Sequence, residues 1–316
     1  MEQYFRQGLA PSTQRTYGSA QKRYLAFCSL HHFPPIPSSE LLLCRFATHL
    51  AVSGLRASTI KCYLSAIRQL QIARGAGDPG IGNIAKLEQV LKGIKAAQAK
   101  GGDTLQPRLP ITPALLLAMK GVWERESVSQ DKAMLWAAAS LCFFGFLHSG
   151  EVCIPGEKAF DKGAHLTMQD IHVDNLANPQ SVQVRIKASK TDPFRQGVLV
   201  YVGRTNQPLC PVSALLAYMV RRGNRPGPLF IFQDGRPLTR PRFVTEVRKV
   251  LLAAGIDPTS YSGHSFRIGA ATTAARQGVE DSTIKMLGRW KSSAYQLYIK
   301  TPRDHLASIS RKLVAQ

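Results

Sequence analysis

With 316 residues, 44% of them hydrophobic, the chain is long enough for two domains with buried cores. Lys and Arg number 41 against 20 Asp and Glu, and the net charge of +21 favours a polyanionic partner, because each phosphate neutralised releases counterions. No apolar run reaches the ~18 residues that cross a membrane, and six cysteines without a CxxC pair argue against a zinc site and a disulfide framework.

The excess charge is spread along the chain. Residues 1–105 carry 13 basic and 5 acidic side chains, a net of +8, and the remaining +13 lies in 106–316. Both halves can therefore face the same polyanion, although a generally basic protein of the ribosomal kind would share this composition. The polar start shows no apolar signal-peptide core. With scattered thiols, this points to a reducing compartment, the nucleus in a eukaryote or otherwise the cytoplasm.

Four helices are predicted over 12–98. The first runs to about His31, capped by Ser12 or Thr13, with Ala20, Tyr24, Phe27 and Cys28 as its buried stripe. The second covers 39–53 and stops at Gly54. The third covers 59–73, with Ser58 as its cap, and the fourth covers about 84–99. The first and third open alike, STQRTY at 12–17 and STIKCY at 58–63. Arg15 and Lys22 share a face of the first, and Lys61 and Arg68 share a face of the third. These four are the candidate DNA-binding residues, two matching basic faces able to grip a duplex, though solvated basic faces are also common on helices.

Gly101, Gly102, Asp103, Pro107 and Pro110 break the periodicity and mark a linker. Beyond it, helices are predicted at 112–125 and 131–147, the latter including the very apolar stretch Ala137–Leu147. Strands are predicted at 181–187 and 197–202, joined as a hairpin through the turn-rich ASKTDPFRQ. A helix at 211–221 and a short strand at 229–232 follow, then helices at 239–254, 265–277, 281–288, 292–299 and 303–313. The fold class is thus mainly α with a small antiparallel β-sheet, a helical domain over 1–105 and an α+β domain over 106–316.

Two motifs carry chemistry. In GHSFR, 263–267, Gly263 permits a tight turn, Ser265 can cap the next helix, and Arg267 sits in its first turn, a good seat for a phosphate. His264 projects from the turn, and the small residues GAATTAA at 269–275 let that helix pack closely. In LGRWKSSAYQLYI, 287–299, Gly288 ends a helix, Arg289 and Trp290 occupy a loop, and Tyr298 lies on the next helix. A phenol beside a gripped phosphate can act as a nucleophile. A helix-turn-helix regulator would also account for 271–289, but it leaves SKTDP and the Tyr298 motif unexplained.

These motifs, in this order and spacing, resemble the tyrosine recombinase (phage integrase) family, and GHSFRIGAATTAA followed by LGRWKSSAYQLYI resembles the Crypton and DIRS mobile-element recombinases of eukaryotes. The resemblance covers nearly the whole chain. It implies a helical core-binding domain over 1–105 and a catalytic domain over 106–316. It implies that Tyr298, in QLYI, is the nucleophile that forms a 3′-phosphotyrosine, rather than Tyr295. His264 and Arg267 form the His-x-x-Arg pair, and the His/Trp position falls on Trp290, with Arg289 the alternative one residue earlier. The hairpin Lys falls on Lys190 in SKTDP, with Lys187 a nearby competitor. The first Arg of the family lies in a Gly-x-x-Arg-x-x-Glu stretch that here reads GFLHSGE, 145–151, so His148 stands in its place. A guanidinium holds two phosphate oxygens at once and is always charged; an imidazole offers one N–H in that direction. Losing one such donor costs about 3–4 kcal/mol of transition-state stabilisation, so a poor or inactive catalyst is expected, in keeping with a decayed element copy.

The resemblance further implies double-stranded DNA as partner, a homo-oligomer from dimer to tetramer on that DNA, and no cofactor. The chain has no GxxxxGK[ST] loop and no acidic cluster for a two-metal nuclease. The predicted helix 303–313 carries Leu306, Ile309 and Leu313 at helical spacing, for docking on a neighbouring protomer or packing on its own domain.

Overall fold

A computed structural model describes residues 4–5, 8–102, 107–125, 127, 129–189, 192 and 194–299. Lys190 and the predicted helix 303–313 lie outside the described residues. The chain separates into two compact units, Met1–Leu105 and Gln106–Gln316.

The first unit is helical: α1 (Pro11–Leu30), α2 (Glu40–Val52), α3 (Ala57–Ala73) and α4 (Ala85–Lys100). The expected stripe of α1 is buried, with Ala20 and Tyr24 at 0% exposure. Tyr24, Phe27, Phe46, Leu64 and Ile67 share one core, and each such large side chain fully buried contributes on the order of 2 kcal/mol. Two predicted caps are corrected. The first helix starts at Pro11 after Ala10, with no side-chain cap, so Ser12 and Thr13 lie inside its first turn. Pro needs no acceptor at a helix start, which lets the helix begin earlier. The third starts at Ala57 rather than at Thr59, so Ser58 lies inside it and is not its cap. The free Ala57 N–H donates to Gln98 Oε1 of α4 at 3.1 Å, so a distant amide does the work expected of Ser58. Ser39 does cap α2, accepting from Leu42 N–H.

The second unit begins with α5 (Pro113–Glu124), capped by Thr112, and α6 (Gln130–Phe144), capped by Ser129. Every residue from Ala133 to Phe143 is buried, as the apolar run predicts. The second helix ends three residues earlier than expected because Phe146 turns the chain with φ of 51°. A four-residue helix, α7 (Ser149–Val152), follows. The sheet is antiparallel, β1 (Ile171–Val173), β2 (Ser181–Ile186) and β3 (Val198–Gly203), in that spatial order. The predicted hairpin is β2–β3, with Val182 opposite Val202 and Val184 opposite Val200. The strand predicted at 229–232 does not form: Ile231 makes an isolated bridge with Pro237, and Leu229 N–H donates instead to Leu166 O at 2.7 Å. The remaining helices are α8 (Pro211–Arg222), α9 (Arg240–Ala253), α10 (Ser265–Arg276) and α11 (Asp281–Leu287). The helix predicted at 292–299 is a shorter 3-10 turn, Ser293–Leu297, with Tyr298 just past its end. No helix among the described residues is long and apolar enough to cross a membrane.

Candidate active site

Three segments of the second unit meet at Tyr298. The first is the exit from α6. After the Phe146 turn, Leu147 N–H closes on Cys142 O at 3.1 Å, and His148 becomes the N-cap of α7. Glu151 turns back and accepts the His148 N–H at 2.8 Å.

The second segment is the start of α10. Its cap is His264, not Ser265, whose hydroxyl accepts the Ser262 N–H at 3.0 Å instead. Gly263 is needed for close approach: a Cβ there would lie 2.2 Å from Ser149 Oγ. That approach brings the starts of α7 and α10 together, and the rings of His148 and His264 stack at 5.3 Å. One turn into α10, Arg267 is 3% exposed and donates to the carbonyls of Phe146 and Gly288. The small residues behind it, among them Ala270 and Ala271, are buried as the small-residue run predicts.

The third segment runs from Gly288 to Tyr298. Gly288 admits Trp290, whose ring occupies the space a Cβ would take. That ring lies 4.1 Å under the Arg267 guanidinium and 4.9 Å from the Tyr298 ring. Such a cation–π contact is worth about 2 kcal/mol or more when desolvated. Arg289 adopts φ of 56° and sets Nη2 2.7 Å from Glu151 Oε2. Tyr298 is fastened at both ends: its hydroxyl lies 2.9 Å from His264 Nε2, and its carbonyl accepts from Thr272 Oγ1 at 3.1 Å. Tyr295 is buried and donates to Asp281 Oδ2 at 2.9 Å, a structural bond that ties up its hydroxyl.

The electrostatics follow from burial. Burial, then the charge of Arg267, the neighbouring His264 ring, and the charges of Arg289 and Arg240 push the His148 imidazole down to about 3. His264 is lowered as well, by burial and then by Arg267 and Arg240. Both rings are therefore neutral near pH 7, and a neutral His264 can accept the Tyr298 proton. Arg267 is lowered to about 10 by burial and by Arg289, and stays charged. The pocket thus holds cations around one buried carboxylate, Glu151, a balance that suits an added anion.

Five of the six predicted catalytic positions, Tyr298, Arg267, His264, Trp290 and His148, surround this one pocket. The sixth, Lys190, lies outside the described residues. Its competitor Lys187 is engaged elsewhere, donating to Asp170 Oδ2 and to Lys162 O, each at 2.7 Å. Arg240, at the start of α9, was not singled out in the sequence; its signal is only its effect on the two histidines. In the first unit, Arg15, Lys22 and Lys61 are exposed, whereas Arg68 donates through Nε to Asp78 Oδ1 at 2.8 Å.

Comparison with known proteins agrees with this geometry. Residues 164–301 match the phage integrase family. That segment is similar to the phage integrase family and holds His264, Arg267, Trp290 and Tyr298. An integrase/recombinase xerD homolog from Selenomonas ruminantium is 26% identical over 297 residues, 90% of this chain and 79% of that protein. Among solved structures, a XerH site-specific recombinase bound to palindromic difH substrate in a post-cleavage complex is similar, with a TM-score of 0.61 and 17% identity. It covers 88% of this chain and 71% of that one. A lambda integrase dimer bound to a COC′ core site has a TM-score of 0.61 and 16% identity, covering 95% and 93%. At these identities the structures speak for the tyrosine recombinase fold, mostly helical with a small antiparallel sheet.

Proposed function

We propose that this chain is a DNA strand-transfer protein of mobile-element type, similar to the Crypton and DIRS recombinases, whose chemistry is carried by Tyr298 and weakened by His148. The observation that carries the reading is the 2.9 Å contact between the Tyr298 hydroxyl and the Nε2 of a neutral His264, beside the buried Arg267. The similarity of residues 164–301 to the phage integrase family supports it.

In this reading Tyr298 Oη attacks a scissile phosphorus as His264 takes its proton. The bond from phosphorus to the 5′ oxygen breaks, that oxygen takes a proton from Lys190, and a 3′-phosphotyrosine remains. Attack by a 5′ hydroxyl of a partner strand reverses the step, so the bond energy is conserved. Arg267 spreads the charge of the crowded phosphorane-like transition state over its guanidinium, and Trp290 keeps that guanidinium in place by stacking. The exposed Arg15, Lys22 and Lys61 hold duplex DNA from the first unit, and copies of the chain assemble on that DNA, in the nucleus of a eukaryotic host or otherwise in the cytoplasm.

His148 defines a second reading, a DNA-binding relative without catalysis. Its ring is neutral and its N–H capacity single, where the family pattern has a charged fork. A pool of nicked duplexes of randomised sequence, read for covalent adduct on denaturing gels, separates the readings. The expected result is little adduct from the present chain, on the order of 100-fold more from His148→Arg, and none once Tyr298→Phe is added. Equal trapping by the present chain and His148→Arg would remove the role given to His148. Adduct that survives Tyr298→Phe would remove the nucleophile. DNA binding with no adduct from either chain would leave the non-catalytic reading.

A further inference from the structure

Among the described residues, the pocket contains two guanidiniums that each keep a buried donor without a hydrogen-bond partner: Arg267 at Nε and Arg289 at Nη1. Buried donors are normally satisfied, and a charged one left unfilled is costly. Arg267 spends its other two nitrogens on backbone carbonyls. Arg289 spends Nη2 on Glu151.

The position of Arg289 is unusual in two ways. It bears a side chain yet adopts φ of 56°, a backbone conformation that favours glycine. Its anchor, Glu151, belongs to the four-residue helix that His148 caps, and the same carboxylate oxygen accepts the His148 N–H. One carboxylate thereby joins the loop after Gly288 to the place where the family pattern has its first Arg. The charge of Arg289 reaches both Arg267 and His148 from that seat.

We propose that Arg289 takes over the phosphate-holding role of the guanidinium that position 148 lacks, with Glu151 as the positioning residue that aims it. The guanidinium missing at 148 is then supplied from the loop at 289, one residue before Trp290. The phosphate would be held by Arg267 and by Arg289 Nη1, approaching from the Gly288 loop instead of from α7. This rests on the reading of the pocket as a phosphate site. It is independent of whether Tyr298 reacts at a useful rate.

Arginine side-chain NMR of the full chain tests it, with inorganic phosphate as probe and the resonances of Arg267 and Arg289 assigned by their loss in Arg267→Lys and Arg289→Lys. Both resonances should shift with one common dissociation constant, tighter than that of the exposed arginines. Arg289→Lys keeps an ammonium for Glu151, so the brace and the fold survive while the fork is lost. It should weaken phosphate at Arg267 by about tenfold or more in the present chain, and by less than about threefold in a His148→Arg background, where the fork is restored elsewhere. The same loss in both backgrounds would mean that Arg289 is only a brace. An Arg289 resonance that fails to shift, or shifts with the exposed arginines, would likewise overturn the proposal. The outcome is separable from that of the recombinase reading. Arg289-dependent phosphate binding without any covalent adduct keeps the inference and removes the catalysis, and adduct formation without Arg289 dependence does the reverse.

Discussion

The two units carry positive charge in opposite ways. In the first, Arg15, Lys22 and Lys61 stand exposed on helices whose core is complete without them. In the second, Arg267 is 3% exposed and wedged between two carbonyls and an indole ring. Exposed cations act on a polyanion one at a time, through counterion release and with strong salt dependence. Buried cations act as a set, because each is held by groups that also hold the others, and removing one leaves its neighbours unpaired. In the proposed reading, affinity for DNA therefore falls to the first unit and chemistry to the second.

The largest effect expected from breaking the buried set is at Arg267. In a His148→Arg chain, Arg267→Ala should cut adduct formation on nicked duplexes by at least about 100-fold, and rates measured under single-turnover conditions would check it. If Arg267→Ala instead weakens only DNA binding, uniformly and in proportion to salt, the buried set is no different from the exposed one. The exposed set should respond more gently. Lys61→Ala should weaken duplex binding and lower the slope of log K against log salt by about 1, leaving adduct formation at saturating DNA unchanged. Fluorescence anisotropy across a salt series would show it.

A pH experiment sharpens the comparison from the side of stability. His148 and His264 are held below the ordinary value of 6.5, first by burial and then by neighbouring cations, so folding favours their neutral forms. In the unfolded chain they protonate below about pH 6.5. Their contribution is therefore complete above that pH and declines as pH falls, for His148 down to about 3. Each proton taken up on unfolding makes stability fall by about 1.4 kcal/mol per pH unit, and His148→Gln should flatten the slope by up to that amount in urea titrations between pH 6 and about 4. An unchanged slope would mean that His148 is not buried as described. The smallest effect is expected at Arg68, whose partner Asp78 already neutralises it. Arg68→Ala should reduce duplex affinity less than Lys61→Ala does, and the reverse order in the same anisotropy assay would show that the pair opens on DNA.

The helices were readable because their apolar spacing and caps are local. The apolar run from Ala137 reads as the buried end of α6, although it continues past the helix to Leu147, and SVQVRIK and GVLVYV read as the β2–β3 hairpin. What escaped depends on partners far away in the chain. Gln98 takes the capping role expected of Ser58. Three-residue β1 is too short for alternation to register, and 229–232 has the composition of a strand but pairs only through a single bridge, Ile231 to Pro237. At the site, the motifs name Tyr298, His264 and Arg267, since their spacing is short and specific. The Glu151–Arg289 pair joins residues 138 apart, and no local pattern announces it.

The 3-10 turn that precedes Tyr298 has a mechanical consequence. The turn is short, and among the described residues three hydrogen bonds tie it to the rest of the unit, beside the ring contact with Trp290: Tyr295 to Asp281, the Tyr298 carbonyl to Thr272, and the Tyr298 hydroxyl to His264. The first two are anchors to neighbouring helices, while the third is the bond that any reaction at the hydroxyl must give up. When that bond is released, the Thr272 anchor still holds the Tyr298 backbone, and the phenol alone is free to turn about its own side-chain bonds. A DNA end joined to Tyr298 would then move by the reach of that side chain without unseating α10 or α11.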